Sequence, residues 1–474
     1  MARGRDFTQG SIPRHLAVLF GPLLAASVFQ QLYAIADALL IGYCVGAEAF
    51  AAVGIAQTLT NLLAFLMVGL ASGPAVAVGH SLGARNAALA RRQWGSAAVA
   101  AMAAACVLGA VAVLVAAPVL AALRSPEAMM GDALAYPLWG AASLPAVLGA
   151  NLTAAMLRAQ GNAAAPFVAL SGAAVLNVGL DVLFMGPCGW GVAGAAAATL
   201  LSQAASALAC ALCLQRRQSP LRLARADLRP RARLLAPMMR RSGAASVQAA
   251  SLYIGKILVQ GVVNGLGTDA IVAYAAAMRI EGLAQAAGEA GQNAGVAVIA
   301  QNHGAQKPRR TRAAFLWILA MLTSSAALIG AAMFVAAGPL VYVFSAGSEG
   351  AVAEGVPYLQ VIAVAYVMCL GGNAWVAHFQ GRGRAAVSLV ATTVQIYLRF
   401  ALSLLWAPAL GLVGIAWATV AGWATIHVVS LAGMYVERRR ARGASPMAAS
   451  SVAPVAWGRG LKSDGREANV GSSV

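Results

Sequence analysis

The sequence predicts an all-α integral membrane protein of twelve transmembrane helices, arranged as two homologous six-helix lobes. Three observations carry this. Of the 474 residues 60% are hydrophobic and only 10% charged, with a mean hydropathy of +0.75, whereas a soluble domain carries roughly one quarter charged residues. The second half of the chain repeats the first at a spacing of 220 to 222 residues. Lysine and arginine fall almost entirely in alternate loops between apolar runs. A water-soluble fold has no interior large enough for this apolar content, so the surrounding solvent is lipid.

Taken in order, Met1 to Arg14 form a short basic arm, and the apolar segment behind it is longer than a signal-peptide core and carries Gln30, Gln31 and Asp37. It is expected to stay as the first helix. Apolar windows of roughly 20 residues place spans near 15–42, 49–79, 95–123, 134–156, 167–187, 190–214, 243–265, 269–300, 314–344, 357–377, 386–408 and 411–435. Gly186-Pro187-Cys188-Gly189 and Pro408 before Gly411 mark tight turns between antiparallel neighbours. The expected domains are a cytoplasmic arm (1–14), a first lobe (15–214), a basic cytoplasmic linker (215–242), a second lobe (243–435) and a disordered cytoplasmic tail (436–474), the last rich in Ala, Ser and Gly.

The formal charge of +18 does not imply nucleic acid, because no aromatic platform is interleaved with the arginines. On the twelve-span layout 29 of the 33 basic residues lie on one side, nine of them in the linker. Both termini and the linker are therefore expected in the cytoplasm. Only Arg124 falls in an opposite loop, leaving Lys256, Arg279 and Arg399 within spans. The six cysteines show no disulfide framework, and Cys210-x-x-Cys213 lacks a second ligand pair for zinc.

The repeat is legible residue by residue. Leu32-Tyr33 recurs as Leu252-Tyr253, Ser81-Leu82-Gly83 as Asn302-His303-Gly304, Asn151 as Asn373, Gly161-Asn162 as Gly383-Arg384, and Gly191 through Thr199 as Gly411 through Thr419. Six spans per copy, an even number, keep both copies in the same orientation, related by a pseudo-twofold axis along the membrane normal. Such halves enclose a cavity that rocking exposes to each side in turn, the working principle of a secondary transporter.

A carboxylate at the bilayer centre costs about 2.5–3.5 kcal/mol on insertion scales, so those that remain point to function. In the first lobe Tyr33 and Asp37, and Asn177 and Asp181, are each spaced i,i+4 and share a helix face. Two carboxylates at similar depth, with amide and hydroxyl oxygens beside them, suit a proton or a hard cation such as Na⁺; the alternative is that each separately lines a wet vestibule or caps a neighbouring helix. The second lobe holds Lys256, Arg279, Glu281, Glu289 and Arg399, whose mixed signs allow internal ion pairs or a substrate cavity. Glu281 offers an anion to an organic cation, and Gln30 is a further cavity candidate. No phosphate loop, catalytic triad or selectivity filter is present, so ATP drive, enzymatic activity and channel function are not supported.

Leu19-Phe-Gly-Pro22 through Phe29-Gln-Gln-Leu-Tyr33-Ala-Ile-Ala-Asp37 to Gly42, with Ala51-Ala-Val-Gly54, resembles the opening of multidrug and toxic compound extrusion (MATE) transporters. Met278-Arg279-Ile280-Glu281 and Gln301-Asn302-His303-Gly304-Ala305 resemble its second-lobe counterpart. The likeness covers about residues 8–435 and is nearest to the bacterial DinF-like branch. It implies a cation site made by Tyr33, Asp37, Asn151, Asn177, Asp181 and Thr199, and antiport of H⁺ or Na⁺ against amphipathic, often cationic drugs. It further implies a monomer in the bacterial inner membrane, with drug-like molecules and lipids as partners and no cofactor. Gln248 stands where other branches carry a glutamate, which argues against a second-lobe cation site of that kind. The competing expectation is a flippase for lipid-linked oligosaccharides or other polyprenyl-linked precursors, a relative with the same lobed architecture.

Overall fold

The structure, a computed structural model, describes residues 5–44, 47–122 and 130–443. Side chains at 34–39, 41–62, 115–137 and 440–443 lie outside that description, and Asp37 is among them. The first lobe contains α1 (Ile12–Cys44), α2 (Ala47–Gly83), α3 (Ala87–Ala122), α4 (Met130–Ala159), α5 (Ala164–Met185) and α6 (Gly191–Leu214). The second contains α7 (Ala232–Asn264), α8 (Thr268–Gly304), α9 (Pro308–Val335), the short α10 (Ala337–Phe344), α11 (Glu349–Gly381) and α12 (Ala385–Gly443).

Ten stretches among the described residues are long and apolar enough to cross a membrane. α8 is not one of them, because Asp269, Arg279, Glu281 and Glu289 dilute its apolar content. The stretch Ala385–Arg439 is counted once at 55 residues, yet a straight helix of that length would run about 82 Å, far beyond a hydrocarbon core of about 30 Å. Pro408 lies in it and Gly411 breaks it with φ 57° and ψ −141°, so α12 is two antiparallel spans joined by a break. With α8 and both arms of α12 the spans number twelve.

α7 starts at Ala232, so part of the expected linker is already helix, and residues 436–443 continue α12 while 444–474 lie outside the described residues. The rest of the linker folds back on the first lobe. Leu221 is buried, Ser219 Oγ donates to Gln160 Oε1 at 3.0 Å, and Arg91 faces Asp227 at 4.0 Å. From Val428 onward the last arm of α12 forms a small unit of its own, in which the guanidinium of Arg439 sits 5.3 Å from the centre of the Tyr435 ring.

Alanine is frequent on the buried helix faces, alongside core leucines such as Leu144 and Leu148, while many other leucines and valines point outward, Val335 being 84% exposed and Leu114 76%. Lipid in place of water removes the cost of that exposure and leaves close backbone packing to hold helices together. α2 packs on α7 and α8 packs on α1, which are symmetry mates under the repeat. The described cysteines are all free thiols.

The lobes meet most closely at the end of the bundle that carries Arg85, Lys307, Arg310, Arg382 and Arg384, the basic end. A Cβ built on Gly83 would run into the backbone of Gln301, and one on Gly304 into the backbone of His80. These two contacts are the same contact twice, since 80 and 83 map to 301 and 304 at a spacing of 221. At the same spacing Gly79 maps to Ala300, and a Cβ on Gly79 would stand 2.9 Å from Cβ of Ala300. A residue that touches its own mate lies on the symmetry axis, so the axis passes between Gly79 and Ala300. The seal is completed by Gln301 Nε2 donating to Ala159 O at 2.7 Å, by a ring nitrogen of His80 donating to Gly381 O at 2.8 Å, and by His80 and His303 with ring centres 5.2 Å apart.

Candidate functional site

α5 packs against both α1 and α6, which brings the elements carrying the first-lobe candidates together. Asp181 and Asn177, one helical turn apart on α5, are 0% and 1% exposed. With its amide oriented to satisfy its neighbours, Asn177 donates from its side-chain nitrogen to Asp181 Oδ2 at 2.8 Å and accepts from the Thr199 backbone N–H at 3.1 Å. Three of the six expected cation-site residues therefore form one hydrogen-bonded cluster. Tyr33 is half-buried on α1, and the expected contribution of Asp37 falls outside the described residues. Asn151 sits elsewhere: it lines the central cavity, and its Nδ2 donates to Val147 O of its own helix at 2.9 Å.

The cavity lies between the lobes, has a volume of about 470 Å³, and ends at the basic side on Gly79, Ala159 and Ala300, against the seal. Such a volume suits a drug-sized molecule. Asp181, Asn177 and Thr199 are not in its wall. Of the second-lobe candidates Lys256, Glu281, Glu289 and Arg399 line it, joined by Arg158 from α4. Gln30 and Arg279 are exposed and do not line it. Gln31 takes the place expected of Gln30, and Arg279 is two residues from Glu281, which on a helix is a different face.

The mixed charges do not pair directly: among the described residues none of Lys256, Arg279, Glu281, Glu289 and Arg399 makes an ion pair within 4.0 Å. Tyrosines hold two of them, Glu281 and Arg399. Tyr358 donates its hydroxyl to Glu281 Oε1 at 3.1 Å, Tyr366 donates to the Glu281 carbonyl at 3.3 Å, and Arg399 Nη2 donates to the Tyr274 hydroxyl at 3.3 Å. The rings of Tyr274 and Tyr358 meet edge to face at 5.8 Å, and all three tyrosines are buried. Sequence reasoning missed this scaffold, although its hydroxyls are the groups that fix Glu281 in the wall. Gln248 is part of a neighbouring chain, donating to Thr392 Oγ1 at 3.0 Å and accepting from Gln380 Nε2 at 3.2 Å.

No group of three or more His, Cys, Asp or Glu side chains suited to a metal occurs among the described residues. The first-lobe cluster offers oxygen donors, which match a proton or a hard monovalent ion as transported cargo.

A family model described as MatE matches residues 22–183 and 244–405, one stretch in each lobe. Two proteins of Bacillus subtilis (strain 168) are similar. Probable multidrug resistance protein YoeA is 26% identical over 271 residues, 56% of this chain and 58% of the relative. Probable multidrug resistance protein YpnP is 25% identical over 301 residues, 61% of this chain and 67% of the relative. The matched stretch thus spans less than two thirds of the first relative's length. Among solved structures, a MATE protein in complex with MaL6 is 24% identical with a TM-score of 0.82, covering 93% of this chain and 98% of the other. An aspartate-to-asparagine mutant of the Vibrio cholerae MATE transporter VcmN is 20% identical with a TM-score of 0.85, covering 90% of this chain and 97% of the other. These likenesses show the fold.

Proposed function

The chain belongs to the MatE family, and we propose that it is a secondary antiporter that exports amphipathic, often cationic compounds in exchange for H⁺ or Na⁺. The observation that carries this reading is the separation of two sites. A buried carboxylate cluster at Asp181 lies inside the first lobe, while a drug-sized cavity with Glu281 in its wall lies between the lobes. Such a division suits antiport, because each ligand can bias the same conformational equilibrium from its own place through its differential affinity for the two states. In this reading Asp37, Asp181, Asn177, Thr199 and Tyr33 take the coupling cation. Asn151 belongs to the cavity wall. Glu281 and Glu289 attract the cationic part of the substrate, and Lys256 and Arg399 limit how much positive charge it can carry.

The placement of arginine and lysine supports the basic end as the cytoplasmic one, in the inner membrane of a bacterium with both termini inside. The sealed basic end then corresponds to a state closed to the cytoplasm. The names of the relatives favour export over lipid flipping. Purified protein in liposomes tests the proposal: an imposed Na⁺ or proton gradient should drive efflux of a cationic dye. Dye retention under both gradients, by a protein that moves polyprenyl-linked sugars instead, would transfer the chain to the flippase reading.

A further inference from the structure

The arm ahead of α1 is tied into both lobes, which its short basic sequence gives no reason to expect. Phe7 is 0% exposed, with its ring edge to face against His15 at 5.3 Å. On the second lobe Phe7 N donates to Gln301 Oε1 at 2.9 Å and Asn302 Nδ2 donates to Phe7 O at 3.1 Å. Lys307 Nζ donates to Thr8 O at 2.9 Å, and Arg310 Nη2 donates to Phe7 O at 3.2 Å and Gly10 O at 3.0 Å. On the first lobe Arg5 N donates to Gln160 O at 3.0 Å, and Asp6 faces Arg85 at 3.9 Å. Gly161, with φ +85°, leaves room for the strap: a Cβ there would stand 2.7 Å from Arg5 N and O.

We propose that residues 5–10 are a latch that clamps the two lobes at the basic end and, while staying joined to α1, lets go of Gln160 and Arg85 when that end opens. The inference rests on the alternating-access reading above. Gln301 joins the latch to the seal, since the same amide accepts from Phe7 N and donates to Ala159 O in the first lobe. The lobes cannot part at Gly83 and Gln301 while the strap bridges Gln160 to Asn302. The side that yields follows from the bonds. Five hydrogen bonds, three of them from charged groups, hold the strap to the second lobe. Apart from the junction with α1, where His15 Nε2 donates to Gln9 O at 2.6 Å and its ring meets Phe7, the first lobe holds it by one backbone hydrogen bond at Gln160 and one exposed ion pair at Arg85, and exposed pairs contribute little. The strap therefore travels with α8 and α9 while Gln160 and Arg85 move away.

Two opposite perturbations of the full chain test this, both read by labelling rather than by transport. The reporter is Ala297→Cys, in the cavity wall about one turn above the seal, in a background without the native cysteines, with an impermeant maleimide added at the basic side. Removing residues 2–10 should raise its labelling rate at least tenfold. A disulfide from Arg5→Cys to Gly161→Cys should lower it at least tenfold and release it on reduction; an ideal Cβ on Gly161 lies 3.0 Å from that of Arg5, near the usual disulfide spacing of about 3.5–4.5 Å. Gly161→Cys alone serves as the baseline for the strain at that turn. If the truncated chain fails to insert, the disulfide decides. Unchanged labelling with the disulfide closed would overturn the latch. A reporter that is never labelled from the basic side, under any ion gradient, would instead overturn alternating access itself and the latch with it.

Discussion

Adding one methyl group at Gly83 should open the basic end. The Cβ of Gly83→Ala would fall within the backbone of Gln301, and that of Gly304→Ala within the backbone of His80. Neither neighbour is the flexible end of a side chain, so the lobes must separate locally to admit the methyl. Overpacking of this kind costs about 1–3 kcal/mol, and the cost falls only on the state in which the seal is closed. Because about 1.4 kcal/mol is tenfold, each variant should shift the closed-to-open ratio at the basic end by roughly 5- to 150-fold. The double variant should exceed either single one but fall short of their product, since the two sites share one interface and the first separation relieves part of the second. Labelling of Ala297→Cys from the basic side reads the shift directly, as Ala297 is 5% exposed while the seal is closed. Gly172→Ala is the control: nothing lies within 4 Å of its Cβ position. If Gly83→Ala labels no faster than Gly172→Ala at equal expression, the glycine contacts do not seal the protein and the symmetry axis through Gly79 and Ala300 has no gating role.

Asp181→Asn keeps the shape of the buried cluster but removes its charge, so gradient-driven efflux should be lost while equilibrium dye binding persists; near-normal efflux would return Asp181 to a packing role. Tyr358→Phe removes the hydroxyl 3.1 Å from Glu281, a charge-assisted bond of about 1.5–3 kcal/mol. It should weaken binding of cationic dyes by roughly 10- to 150-fold, with Glu281→Gln selective in the same direction; equal losses for neutral dyes would mark a purely structural role. Asp6 outside the membrane gives a pH signature. Burial acts to raise its pKa, but the Thr8 hydroxyl and N–H, at 2.6 and 2.8 Å, together with Arg85 and Lys307, hold it below the ordinary 3.8. A carboxylate depressed by folding stabilises above its unfolded pKa and loses that contribution as pH falls through the folded value. The difference in melting temperature between the natural chain and Asp6→Asn should be full at neutral pH and shrink below pH 3.8; a difference that grows on acidification would contradict this.

Where the chain states its purpose through residue type, the fold was legible. Apolar windows and the alternation of arginine are consequences of lipid on one side and charge sorting on the other, and both survive without knowledge of any contact. The seal was not legible, because Gly79, Gly83, Ala300 and Gly304 are small residues among many in a chain with 50 glycines. Only coordinates say which of them touch. The strap escaped for a different reason: one phenylalanine between Asp6 and Thr8 has no periodicity to betray burial. The mixed charges of the second lobe suggested ion pairs, but a charge can also be held by a neutral hydroxyl, and Tyr274 and Tyr358 look like ordinary core residues in sequence.

The repeat, once its register is fixed by structure, explains why the two lobes differ chemically. Gly161 and Gly383 share positive φ values of 85° and 75° at a spacing of 222, while Gly191 and Gly411 share 54° and 57° at a spacing of 220, so the register set at the start of α5 slips by two residues by the start of α6. At the spacing of 222 set by Gly161 and Gly383, Asn177 maps to Arg399 and Asp181 to Ser403, while Thr199 and Thr419 correspond at 220. The second lobe thus keeps the threonine and loses the carboxylate, and it carries a guanidinium where the first lobe has an amide bonded to Asp181. A covalently attached cation in that place is held through Tyr274 and cannot be exchanged for one from solution. Two differences at matching places, arginine for the amide and serine for the carboxylate, therefore separate the proposed cation frame of the first lobe from a second-lobe frame whose Arg399 is part of the cavity wall.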